Sequence, residues 1–218
     1  MIYEEVSPEA PLQQGDIFRA VPKIRVTLTR MPHFDGQEFR SSDWNDIADG
    51  GAISALFRVE PTPAIVLTPD CDALRAELIT LAEIRPFAQV EGKAKDAKAS
   101  KSLMKIITQQ ARINQKWFYL PHGEVAGFVE RMAADFRSVI SIPREDLEVI
   151  RSLRVARLRT PAIEHLRERL AEFYRRYPYD EWYPLDPAEF KAYIADKGGA
   201  ENIKPFPWQE KEPEPAEE

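Results

Sequence analysis

Two carboxylates flank the only cysteine of the chain in Asp70-Cys71-Asp72. Paired carboxylates can work as general acid and base or hold a divalent cation, and a thiolate is a nucleophile or a soft metal ligand. Cys71 is therefore a nucleophile or ligand candidate, although a thiolate between two carboxylates needs a cation or base from elsewhere in the fold. The plainer alternatives are a turn in which Asp70 and Asp72 accept backbone N–H bonds, and a buried structural thiol. Arg85, and with it Arg19, can stabilise phosphate charge or pair with Asp70 or Asp72. Of the three histidines, His33, His122 and His165, none has ligand spacing from another. His122 follows an expected strand end and is the best placed to join Asp70 and Asp72 in acid–base work. Five Lys against one Asp lie between Lys93 and Lys105. Of these, Lys93, Lys95, Lys98 and Lys101 are candidates for contact with a nucleic-acid backbone, or they are a solvated loop. Trp117-Phe118-Tyr119 reads as barrel core before it reads as a base-stacking platform.

These residues need elements to position them. Pro63-Ala64-Ile65-Val66-Leu67-Thr68 is a short apolar run, as expected of a strand buried on both faces, and Pro69 ends it. The Asp70–Asp72 triplet then falls at a strand end, where scaffolds present polar groups. Before it, Ile17–Val21 reads as a strand interrupted by Pro22, and Ile24–Thr29 alternates like a half-buried strand. Pro32–Gly51, with four Asp and three Gly, reads as a long loop, followed by a strand over Ile53–Val59. After it come expected strands at Leu78–Ile84, Trp117–Leu120, Val125–Phe128, Phe136–Ile142 and Leu153–Leu158, and a helix from Ser102 to Ile113. Thr160-Pro161-Ala162-Ile163-Glu164 carries an N-cap, a proline in the first turn and a capping acid. Ile163, Leu166, Leu170 and Phe173 then mark the apolar face of a helix running to about Tyr174. A short helix is expected over Asp186–Ile194.

The chain has 218 residues, 44% hydrophobic and 30% charged, which suits one sizeable core. No apolar run approaches a membrane span, the acidic start is unlike a signal peptide, and one cysteine allows no internal disulfide. A cytoplasmic location is expected. The net charge of -6 argues against broad nucleic-acid binding, but five Glu and one Lys in Glu210–Glu218 carry -4 of it, so a local basic groove remains compatible with the rest.

Short strands with few helices point to a mainly β protein with peripheral helices (α+β), a small bent barrel. The order Gly15-Asp16-Ile17, then Pro63–Thr68, then Ile79–Pro86, then Arg137–Leu147, Leu153–Leu158 and Thr160–Phe173 resembles the PemK/MazF toxins. That resemblance implies an SH3-like barrel shared with CcdB, with insertions at about 31–52 and 92–113 and a C-terminal helix. The expected organisation is an arm over 1–14, the barrel over 15–176, a helical appendage over 177–199 and an acidic tail over 200–218. The family are dimeric ribonucleases neutralised by an antitoxin. Their catalytic Arg would fall at Thr62, and their catalytic Thr or Ser after Pro86, where Phe87 and Ala88 stand, so the usual pair is missing. The resemblance implies a toxin–antitoxin or phage-defence protein acting on RNA, with RNA, an antitoxin or other protein, and a second copy as partners, and no membrane. The alternatives are a non-catalytic protein-binding module and a metal-dependent enzyme at Asp70-Cys71-Asp72. No cofactor is expected; a divalent metal is compatible with the carboxylates.

Overall fold

The run from Pro63 to Val66 forms the inner half of a strand covered on both faces, and Leu67 and Thr68 follow directly after it. In the computed structural model, which describes residues 2–50, 52–95, 100–110 and 116–175, Ala64 and Val66 point into one apolar cluster with Phe18, Val21, Ile79, Leu81 and Ile140. Ile65 and Leu67 point into another with Ile17, Ile84, Leu120, Phe136 and Leu166. An uninterrupted apolar run is what a strand packed on two sides requires.

Seven antiparallel strands make the main sheet: β1 (Tyr3–Glu4), β2 (Asp16–Arg25), β6 (Arg58–Val66), β7 (Leu78–Pro86), β8 (Trp117–Leu120), β9 (Met132–Pro143) and β10 (Arg154–Leu158), in the order β1-β10-β2-β6-β7-β9-β8. The sheet curls into a half-barrel. Its two ends meet through side chains: Tyr3 on β1 donates its hydroxyl to the Pro121 carbonyl just after β8 (2.8 Å) and packs edge-on against Phe128. Burial, and secondarily Tyr119 nearby, raise the Tyr3 pKa above the ordinary tyrosine range, so the hydroxyl keeps its proton for this bond. Gly123 lies under the ring, and a Cβ there would stand 2.7 Å from two ring carbons. Gly123→Ala is therefore expected to lower stability by about 1–3 kcal/mol, read as a lower urea midpoint with unchanged slope.

The chain is thus mainly β with peripheral helices. Of these, α7 (Ala162–Tyr174) buries Ile163 and Leu166 in the barrel core, with Leu170 and Phe173 partly buried beside them. The helix starts at Ala162, and Glu164 Oε1 accepts from Arg167 Nη1 (2.9 Å). A third apolar cluster joins α3 (Phe87–Val90) and α5 (Ser100–Lys105) to Trp117 and Ala133. All described residues but Arg175 belong to one unit, Met1–Tyr174. The helical appendage and acidic tail expected over 177–199 and 200–218 lie outside the described residues. No helix among the described residues is long and apolar enough to cross a membrane.

Several local expectations change. The N-terminal arm supplies β1, paired with β10 at Tyr3↔Leu158. Pro22 does not interrupt β2; it faces Pro61 where β2 and β6 run on as a ribbon past their other neighbours, an edge position that tolerates proline. β2 ends at Arg25, and the apolar set expected to be half-buried, Ile24, Val26 and Leu28, is more than half exposed. The expected loop over Pro32–Gly51 holds β3 (Met31–Phe34), β4 (Phe39–Ser42) and α1 (Trp44–Ile47), and β3 also pairs with β5 (Ser54–Ala55). Burial of Met31 and His33 on either side of Pro32 explains this strand. The expected strand at Val125–Phe128 is a turn, closed by reciprocal backbone bonds between Gly123 and Phe128.

Candidate functional site

Glu83 is a carboxylate inside the apolar strand β7, paired with Ala64 on one side and Asp135 on the other. The neighbouring pair is Ala82↔Val139, so Phe136, Arg137 and Ser138 have no counterparts on β7. Such a bulge re-aims side chains. Phe136 turns into the core, Arg137 is exposed, and Ser138 faces Glu83. Ser138 Oγ lies 2.6 Å from Glu83 Oε2, and Lys23 Nζ reaches over β6 to Glu83 Oε2 (2.5 Å) and Ser138 Oγ (3.1 Å). Burial pushes the Glu83 carboxyl up, but bonds from Lys23 and Ser138 and the charges of Lys23 and Arg85 outweigh it, leaving the group below the ordinary range.

These residues line an open cleft of about 790 Å³, with Arg25, Thr27, Thr62, Arg85 and Gln89 as its other polar walls. Arg25 is paired at the rim with Glu60 (3.0 Å). Arg85 is only loosely held, by Gln89 Oε1 at 3.5 Å and Asp135 Oδ2 at 3.9 Å. The cleft therefore presents cationic donors and hydroxyls around one ionised carboxylate. Chemically, that arrangement can bind an anion and accept a proton beside it.

The sequence candidates do not converge here. An antiparallel hairpin returns the end of its second strand to the start of its first, so Arg85 sits beside Thr62 and Pro63. Asp70–Asp72 follow Thr68, whose backbone N–H donates to Thr80 at the other end of β7, roughly 16 Å along the strand from Arg85. Asp70 works as a latch there. Its Oδ1 accepts from the Gln14 N–H (2.8 Å), and its Oδ2 accepts from Arg167 of α7. Asp72 is paired with Arg75 (2.7 Å), and Cys71, in the single helical turn α2 (Asp70–Ala73), is exposed. His122 is exposed in a separate hollow of about 370 Å³ with Leu103, Glu130 and Arg131. Lys93 lies in α4 (Gly92–Lys95) and Lys101 in α5; Lys95 has only its backbone described, and Lys98 lies outside the described residues. Arg19 is exposed on β2. Trp117 is buried, donates to Glu91 (3.2 Å) and lies under Arg169 (5.4 Å), a core position. Among the described residues no group of three or more His, Cys, Asp and Glu is placed to hold a metal ion.

Lys23, Glu83, Asp135, Arg137 and Ser138 are not among the residues that the sequence singles out for chemistry. One signal was present: a Glu inside a run of strand-forming apolar residues.

Fold and cleft together define a mainly β half-barrel with a cationic, hydroxyl-bearing cleft over β2, β6, β7 and β9. Compared with protein families, with characterised proteins and with solved structures, the chain gives no significant match.

Proposed function

We propose that this cleft binds the phosphodiester backbone of RNA and cleaves it without metal, in the manner of a toxin–antitoxin or phage-defence ribonuclease. The observation that carries the reading is Arg85, a guanidinium with hardly used donors in a cleft that also holds Lys23, Ser138 and an ionised Glu83. The resemblance to PemK/MazF toxins supports it from another side, because the position of their catalytic Arg, here Thr62, lies in the wall of the same cleft. Arg85 and Lys23 meet the phosphate charge, and Glu83 accepts the proton of the 2′-hydroxyl as its oxygen bonds to phosphorus; the P–O5′ bond breaks, leaving a 2′,3′-cyclic phosphate and a 5′-oxygen that takes its proton from solvent water. The acid–base role moves from Asp70, Asp72 and His122 to Glu83.

The test is incubation of the purified chain with a long mixed-sequence RNA, with and without EDTA. Cleavage is expected in both lanes. Arg85→Ala is expected to slow it about 100- to 1,000-fold, as loss of one charge-stabilising donor does. Asp72→Ala is expected to change nothing, because its carboxylate serves only Arg75 outside the cleft. Intact RNA in every lane from a folded sample removes the catalytic reading.

A second reading, a protein-binding module for an antitoxin-type partner, is favoured by the ribbon beyond the barrel. Ile24 and Val59 pair across it, each more than half exposed, with Val26, Leu28 and Phe57 also exposed nearby. Apolar groups left in water together mark contact surfaces.

A further inference from the structure

Asp135 is only 2% exposed, yet two arginines lean on it. Arg137 spends one edge of its guanidinium there, Nε on Oδ1 (2.8 Å) and Nη2 on Oδ2 (2.8 Å), and its backbone N–H also donates to Oδ1 (3.1 Å). Arg85 Nη1 stands 3.9 Å from the same Oδ2. Burial pushes the Asp135 carboxyl up, but bonds from Arg137 and the charges of Arg137 and Arg85 bring it below the ordinary aspartate range, so it stays anionic.

Asp135 already accepts three hydrogen bonds from Arg137. The charge of Arg85 adds to the attraction, but it also sets two guanidiniums close together, and these repel. An anion arriving between the two relieves that repulsion. Donors are available for that anion: Arg137 Nη1 has no hydrogen-bond partner among the described residues, and the closest acceptor to Arg85 is Gln89 at 3.5 Å. Both side chains are accessible, 38% and 45% exposed. Two guanidiniums sharing one carboxylate oxygen are close enough to share one phosphate on their outer edges.

We infer that Arg137, held by Asp135, forms with Arg85 a second phosphate subsite next to the one at Lys23 and Ser138, Arg85 spanning the two, so that the ligand is a nucleic-acid strand with at least two successive phosphates and not a mononucleotide. This rests on the RNA reading of the cleft and extends it in length. Arg85 and Arg137 touch the ligand; Asp135 is a positioning residue.

Titration calorimetry with 2′-O-methyl RNA, which has no free 2′-hydroxyl to attack, tests binding apart from cleavage. The ligands are a dinucleotide with one phosphate and a hexanucleotide with five. The whole chain is expected to prefer the hexamer by well over tenfold. Arg137→Lys keeps an ion pair with Asp135 but has no second planar edge to offer. It is expected to shrink that preference about tenfold and to flatten the log–log salt slope of hexamer binding by about 0.7. Asp135→Asn is expected to shrink the preference too, while dinucleotide affinity holds; a merely structural residue would weaken both ligands alike. Arg151→Gln, outside the cleft, is expected to leave the preference unchanged. Thermal melting of each variant establishes that it is folded, and Arg137→Gln replaces the lysine variant if that one is not. An unchanged preference in folded Arg137 variants, with hexamer binding lost in Arg85→Ala, overturns the subsite and leaves the cleft reading standing. Absence of binding to either ligand by the unmutated chain overturns both.

Discussion

Asp16→Ala is expected to remove about 3–5 kcal/mol of folding stability and to lower the thermal midpoint by roughly 10 °C. Asp16 is fully buried and is bonded by two arginines, Arg154 Nη1 to Oδ2 (2.8 Å) and Arg157 Nε to Oδ1 (2.5 Å). The Arg154 side chain is 2% exposed, so truncating Asp16 strands a cation away from water. Replacing a buried ion pair by apolar residues is often harmless, but not here. Arg154 also donates to the carbonyls of Ser7, Pro8, Ala10 and Pro11, the whole turn of the N-terminal arm. Pairing Asp16→Leu with Arg154→Met would leave the Pro8 and Ala10 carbonyls without donors, although Ser7 keeps the Ala10 N–H and Pro11 keeps Arg157, and recovery is therefore expected to fail. The checks are thermal and urea unfolding followed by circular dichroism, with limited proteolysis of the arm. A midpoint within about 2 °C of the parent would sink the argument.

What was legible in the sequence follows from what each element packs against. The inner half of β6 stood out because both of its faces are buried, so no polar residue interrupts it. α7 stood out because its apolar residues recur at helical spacing against one core. Gly15 announced a turn for a good reason: its φ is +88°, and a Cβ there would meet Ile163 at 2.7 Å. The cleft was hidden because it is assembled across strands. Lys23, Glu83 and Ser138 lie far apart in sequence, and only sheet order, register and the extra residues of β9 bring them together. Closeness along the chain offers Asp70 and Asp72 as partners for Arg85, whereas the structure places Arg85 in the cleft beside Asp135. Hairpin geometry separates what sequence order suggests is adjacent. The ribbon misled for a related reason. Alternation of Ile24, Val26 and Leu28 normally means one buried face, but here that face has no cover among the described residues.

Glu83→Gln is expected to lower RNA cleavage about 100-fold or more while leaving RNA binding within about threefold, which is what loss of a general base without loss of shape does. Gln still accepts from Lys23 and Ser138, so the cleft keeps its geometry and loses only the basic oxygen. The groups facing Glu83 are Lys23, Ser138 and Arg85, and together they hold its pKa below the ordinary glutamate range. The acid limb of the cleavage rate is therefore expected below that range, with the rate falling as Glu83 takes up its proton, and this limb is expected to vanish in Glu83→Gln. Stability has the same sign. A carboxyl whose folded pKa is depressed contributes stability that is present above its unfolded pKa and lost as pH falls through the folded one. The parent chain should thus be more stable than Glu83→Gln at neutral pH, with the gap closing in acid. Cleavage by Glu83→Gln at the parental rate with the acid limb intact would make Glu83 a strut for Lys23 and Ser138 and pass the base to another group. A lost limb with the stability gap intact at neutral pH would assign both roles to one carboxylate: ordering the cations while the cleft is empty, and taking the proton when RNA fills it.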